Sequence, residues 1–200
     1  MGSAVAAPLR VEVVARRASL GARGLAVRRL QTRLARHGYV VGRRGLYDDR
    51  TARAVMAFRK VTGMSREFQA DDEVFRRLGR GEGAFQVRYP SHGRHVEADL
   101  GRQVLALIDH GEAVRVYATS SGAPVTPTIL GSFHVYLKSY GTNAKGMVHS
   151  SYFIRGYAIH GYESVPPYPA SHGCLRVPVP DAASIFAWIR YGTIVDTYYR

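Results

Sequence analysis

The 200-residue chain has one cysteine, one tryptophan and only three lysines against 25 arginines. A single cysteine excludes an internal disulfide framework, so cysteine usage alone does not place the protein in an oxidising compartment. No run approaches the roughly 20 apolar residues of a membrane-spanning helix, so no transmembrane segment is expected. The opening MGSAVAAPLR also lacks the continuous apolar core of a secretory signal. The chain therefore reads as a mature or truncated form, with Met-Gly-Ser a cloning remnant. With 46% hydrophobic and 22% charged residues the composition is that of an ordinary globular protein, long enough for one large domain or two small ones. Positive charge is in excess. The net charge is +13, and residues 1–83 carry 18 basic and 8 acidic side chains while 84–200 carry 10 and 7. This asymmetry points to an anionic partner. No segment has the Asn or Gln clusters of a base-reading helix, so nucleic acid is not the expected one.

The lone cysteine organises the rest. Cys174 lies in IHGYESVPPYPASHGCLRVP, Ile159–Pro178, with His172 two residues before it and His160 fourteen before. A free thiol titrates near about 8.5, so a nucleophile useful at neutral pH needs a base or a positive charge beside it. His160 closes the apolar stretch YAIH, read as a buried strand that would hold a base firmly, and is assigned proton transfer. Gly173 between His172 and Cys174 permits a tight turn that could gather the Gly173 and Cys174 amides into an oxyanion hole. Two plainer readings compete. A lone cysteine is most often a small buried hydrophobe, and two histidines with one cysteine could be zinc ligands. Against zinc, His-x-Cys lacks the familiar ligand spacings and no HExxH accompanies it. Against a purely structural role, the flanks are Ser, His, Gly and Arg.

SHGCLRVP with IHG upstream resembles the signature of the L,D-transpeptidase catalytic domain of YkuD type. Carried over position by position, the resemblance implies that Cys174 is the nucleophile and His160 the general base. Gly161 would supply the carbonyl that orients the imidazole, and Ser171, His172 and Gly173 the site wall and oxyanion hole. Two features depart from the family pattern. Only ten residues, 161–170, separate His160 from Ser171, and Arg176 stands where many members have Asn, a change that bears on how substrate carboxylates are held. The resemblance further implies attack on the third residue of a peptidoglycan stem peptide, a thioester on Cys174 and transfer to an acceptor amine. Hydrolysis by water, as in an L,D-carboxypeptidase, or a silent wall-binding role are the alternatives. No cofactor and no metal are implied. The location would be exported, in the cell wall or periplasm, and carbapenems would be covalent inhibitors.

Upstream, Leu9–Ala15 alternates enough for a short strand or extended arm. GARGLAVRRLQTRLARHGY sets Leu25, Val27, Leu30 and Leu34 at helical spacing, with Arg28, Arg29, Arg33 and Arg36 mostly opposite and Gly38 as the C-terminal cap. A second helix is predicted over Thr51–Val61 behind an Asp48 or Asp49 cap, with Ala54, Val55, Phe58 and Val61 inward. A third covers Asp71–Leu78, with Val74, Phe75 and Leu78 inward. The run VRRLQTRLARHGY followed by RGLYDDRTARAVMAFRKVTGM is similar to the peptidoglycan-binding domain type 1, except that Arg59 replaces the usual Gln. That resemblance implies that the module holds peptidoglycan glycan and peptide, and that its removal leaves turnover of small soluble fragments intact.

From His95 the period becomes two. HVEADLGRQVLALIDHGEAVRVYATSSG reads as strand, turn, strand, Asp-His-Gly-Glu hairpin, strand. One further strand is predicted to carry Phe133, Val135 and Leu137. PDAASIFAWIRYGTIVDTYY supplies a helix and a last strand. Residues 143–154 read as a lid or substrate loop, and Tyr152, Phe153 and Tyr157 either line the cleft or belong to the aromatic core. Tyr152, Ser171, Arg176 and Gly161 are the expected substrate-binding residues. The expected fold is multidomain α+β, a small three-helix bundle followed by a mostly β, sandwich-like domain. Its divisions are an arm at 1–18, helices at 19–80, a linker at 81–94 and the catalytic domain at 95–200.

Overall fold

The computed structural model describes residues 17–200, so the strand or arm read over Leu9–Ala15 lies outside the described residues. The three helices form where caps and periodicity placed them. Helix α1 runs Leu25–Arg36, α2 Asp49–Val61 and α3 Asp72–Gly79. Asp48 caps α2 by accepting from the Thr51 amide, and Asp71 caps α3 by accepting from Val74. Val27, Leu30 and Leu34 face inward, but Leu25, counted as core in the sequence, is 61% exposed. It is the first residue of the helix and points away from the bundle. After α1, Gly38 adopts φ +80°, and a Cβ there would stand 2.8 Å from the Ala113 carbonyl. Glycine is therefore needed both for the helix stop and for the close approach of a neighbouring strand.

Among the described residues nine strands make two sheets. Strands β1 (His95–Asp99), β2 (Val104–Asp109), β3 (Glu112–Ala118), β4 (Gly131–His134) and β9 (Ile194–Tyr198) form one, in the order β3-β2-β1-β9-β4. Strands β5 (Leu137–Thr142), β6 (Val148–Ile154), β7 (Tyr157–Tyr162) and β8 (Leu175–Pro178) form the other in sequence order, with α4 (Val179–Trp188) packed against them. The β2–β3 hairpin turns at His110 and Gly111, both at positive φ, as a two-residue hairpin requires. Two sequence expectations fail here. The single strand through Phe133, Val135 and Leu137 is two strands in different sheets, because the chain crosses over at Val135 and Tyr136. The lid read at 143–154 is mostly strand β6, leaving only 143–147 as loop. Its irregular hydrophobicity comes from the β-bulges where β6 pairs with β5 and β7.

Strand β2 explains how the parts are joined. Leu105 and Leu107 point into the core between the sheets, with Val96, Val195, Phe153, Ile159, Leu175, Val177 and Ile185. Val104, Ala106 and Ile108, with Val116 of β3, point the other way and share one core with Leu30, Leu34, Val55, Phe58 and Val74 of the helices. Both faces of β2 are buried, which is why VLALI is apolar without alternation. The contact is also polar. The Val116 amide donates to Gly38 at 2.9 Å, and Arg50 and Arg53 of α2 reach Asp181 of α4. Residues read as linker are packed too: Phe85 is buried, and the Arg88 and Tyr89 amides donate to Glu97. At the N-terminal side Ala18 pairs with Ala70.

Candidate active site

Strands β7 and β8 run parallel with Ile159 opposite Leu175 and His160 opposite Arg176. Extended by one residue, this register sets Cys174 beside Ala158, on the same face of the sheet as His160 two positions along. The period of two also brings Tyr162 and Arg176 to that face. These residues line a cavity of about 300 Å³ with Ser171, His172 and the loop residues Lys145 and Met147. Tyr162, Lys145 and Met147 were not singled out in the sequence. Tyr162 was legible as the residue two beyond His160 on a strand, whereas Lys145 and Met147 arrive from a segment distant in sequence.

The turn before β8 is built from side chain to main chain. Ser171 Oγ donates to the Cys174 carbonyl at 2.6 Å and accepts from the Gly173 amide at 3.0 Å, and Thr128 Oγ1 donates to the Gly173 carbonyl at 2.8 Å. Gly173 has φ +110°, and a Cβ on it would fall 1.7 Å from the Tyr157 ring. Only glycine can pass beneath that ring in this conformation. The Gly173 amide, expected at an oxyanion hole, is bonded to Ser171 in this conformation. The turn hangs on a neighbouring segment: the Ala170 and Ser171 amides both donate to the Ser121 carbonyl, and Ser120 exchanges two bonds with Arg176.

His160 is buried, and its Nδ1 lies 2.9 Å from the Gly161 carbonyl. An N–H at Nδ1 donating to that oxygen leaves Nε2 as the basic nitrogen. Burial pushes the imidazole below its ordinary range, the Arg176 charge adds to this, and the Gly161 bond opposes it. Burial likewise pushes the Cys174 thiol up, opposed by the Ala158 amide and by the charges of Arg176 and Lys145. Around pH 7 the site therefore holds a neutral base and a neutral thiol. The thiol is half-buried, with a long contact of 3.8 Å to the Gly156 carbonyl. His172 is exposed at the rim. Arg176 lies 4.2 Å over the Tyr162 ring, which fixes a cation at the cavity wall.

Not every expected residue converges. Tyr152 lies on β6, paired with Leu137 and Ala158, outside the cavity lining, and Phe153 is core. Tyr157 acts as the roof over Gly173. Among the described residues no three His, Cys, Asp or Glu side chains cluster as metal ligands.

Residues 93–196 match the family model of the L,D-transpeptidase catalytic domain (YkuD), and residues 23–78 match that of a peptidoglycan binding domain. The crystal structure of an L,D-transpeptidase from Xylanimonas cellulosilytica is similar at 32% identity, over 90% of this chain and 97% of that one, with a TM-score of 0.81. An L,D-transpeptidase from Stackebrandtia nassauensis shares the fold at 20% identity and a TM-score of 0.55, over 90% of this chain and 94% of that one. Among curated proteins none matches the chain.

Proposed function

Because the chain belongs to the L,D-transpeptidase family of YkuD type, we propose that Cys174 cuts and rejoins peptidoglycan stem peptides through a thioester. The observation that carries this reading is the shared cavity of Cys174 and His160, with the imidazole held by the Gly161 carbonyl so that Nε2 is free to take a proton. His160 removes the thiol proton as sulfur attacks the carbonyl carbon of the third stem residue. The tetrahedral oxyanion collapses, the bond to the terminal D-alanine breaks, and His160 returns the proton to the departing amine. The acceptor amine then attacks the thioester, loses a proton to His160 and releases the thiol, which leaves a new amide crosslink. An oxyanion hole at residues 173 and 174 requires the Gly173 amide to exchange the Ser171 hydroxyl for substrate oxygen. Arg176 and Lys145 are the two cations among the residues lining the cavity, and they suit a substrate carboxylate. The helical region, a peptidoglycan binding domain by its match, would hold the polymer, and the enzyme would work outside the cytoplasm. No helix of the described residues is long and apolar enough to cross a membrane.

Incubation with disaccharide tetrapeptides, read by product mass, tests the proposal. Crosslinked dimers with loss of D-alanine are expected. Loss of D-alanine without dimers would make the enzyme an L,D-carboxypeptidase, and no product would leave a silent wall-binding protein. The same thiol should open a strained β-lactam. Meropenem should add its intact mass to the tryptic peptide containing Cys174 and leave Cys174→Ala unmodified.

A further inference from the structure

Helix α2 sends one side chain deep into the sheet domain. Lys60, in its last turn, is buried, and its Nζ donates to the Gln103 carbonyl at 3.1 Å and the Thr119 carbonyl at 3.0 Å. Each acceptor leads to the cysteine turn. Thr119 Oγ1 donates to the Arg176 carbonyl at 2.7 Å. Gln103, itself at φ +60°, clamps Ser121 from both sides: its Oε1 accepts from the Ser121 amide at 2.8 Å and its Nε2 donates to Ser121 Oγ at 2.7 Å. The Ser121 carbonyl in turn accepts both the Ala170 and the Ser171 amides at 2.9 Å, and Ser171 Oγ closes the turn around Gly173 and Cys174. A continuous hydrogen-bonded path thus runs from the helical module to the nucleophile.

We propose that Lys60 is a positioning residue for the Cys174 turn, holding the segments around Gln103 and Thr119 from which that turn is suspended. The helical module would then be a working part of the reaction centre as well as a tether. The inference rests on the reading of Cys174 as the nucleophile. Burial drives the ammonium down to about 7, with Arg66 adding to the shift, so keeping a lysine here opposes its solvation. Two directed donors are what it supplies in return. A side chain needed only for packing would gain nothing from the amine, since methionine fills the same slot without it.

The test is Lys60→Met in the full chain, with hydrogen exchange, thiol alkylation and turnover measured together. The expected outcome is faster amide exchange confined to residues 119–122 and 170–176. With it, kcat for a tetrapeptide donor should fall about tenfold while KM stays within about twofold, because misplacing a nucleophile costs rate more than binding. Iodoacetamide should label Cys174, the only cysteine, about threefold faster as its surroundings loosen. Unchanged exchange and turnover would overturn the proposal, as would exchange raised evenly across the chain. If Lys60→Met fails to fold, Lys60→Gln keeps a polar side chain at that point but is too short to reach both the Gln103 and Thr119 carbonyls. The same localised rise in exchange at 170–176 would support the proposal, and its absence would overturn it. A wild-type protein without turnover would defeat the transpeptidase reading, while exchange and alkylation would still decide the role of Lys60.

Discussion

Burial raises the Cys174 thiol and lowers the His160 imidazole, so near neutrality both share their cavity uncharged. The imidazole is then already free to act as base at pH 7, and the thiol is the group short of its reactive form. Acylation by meropenem, followed by intact mass at a series of pH values, should therefore climb from pH 7 through 9 without a plateau near neutrality. A flat profile there would mean a preformed thiolate–imidazolium pair. Cys174→Ala should abolish turnover yet shift the melting temperature by only about 2–4 °C, since the side chain is half-buried and loses one sulfur atom. Loss of cooperative folding would instead return Cys174 to a structural role. His160→Ala should slow acylation strongly, by about 100-fold or more, while slow labelling of the thiol persists. Cys174, His160 and Gly173 were legible because a thiol, an imidazole and a glycine each announce their chemistry. Arg59 was not: noted in the sequence only as replacing the usual Gln, it is buried, bonding the Gln69 carbonyl, Ser65 and Asp71, the residue that also caps α3.

At the scale of elements, β1 and β9 are tied by a buried polar cluster on the side of the domain that faces residues 88–93. Glu97 accepts from Tyr198 Oη at 2.7 Å and from the Arg88 and Tyr89 amides, and lies 3.2 Å from His95 Nε2, whose Nδ1 lies 2.8 Å from the Gly93 carbonyl. Burial pushes Glu97 up, but these bonds outweigh it and hold the carboxyl below its ordinary range. Burial pushes His95 down, but Glu97, Gly93 and Asp196 outweigh it and hold the imidazole above its range. The signs are opposite. The Glu97 contribution is present above the unfolded value of about 4.3 and is lost as pH falls through the depressed folded value. The His95 contribution is complete below about 6.5 and is lost as pH rises through the raised folded value. Their shared stabilisation is therefore greatest between about pH 4.5 and 6.5. Glu97→Gln should destabilise the fold by about 3 kcal/mol at pH 6 and by clearly less at pH 3, as thermal melts would show. Equal losses at both pH values would reject this account. Strands β1, β2, β3, β7 and β9 were readable from period and turn chemistry, His110–Gly111 above all, whereas β6 was not, because its bulges break the period. Nor was the break between β4 and β5, because a chain that crosses between two sheets keeps its apolar alternation while changing partners.

Across the whole molecule, the helices cover the outer face of β2 and β3 with one shared core. Deleting residues 19–80 would expose Val104, Ile108 and Val116, each worth about 1.5–3 kcal/mol when buried, together with Ala106 and the polar groups that Lys60 and Gly38 satisfy. The truncated chain should therefore aggregate or melt well below the intact protein. Expression of both forms with melting curves would check this, and a stable truncated enzyme with full turnover of soluble fragments would restore the separable design expected from sequence. What the sequence determined by itself was local: the helix cap at Asp48, the period of the helices and of β1 to β3, the hairpin, and a cysteine with its histidines inside a recognisable run. Those signals act within a few residues, where side chain and main chain compete for the same hydrogen bonds. The tertiary structure decided which apolar face met which, that Tyr152 stands apart from the cavity while Lys145 joins it, and that Lys60 reaches carbonyls 43 and 59 residues away. Such meetings depend on how whole layers stack, and the free energy of burying two surfaces together is written in neither one alone.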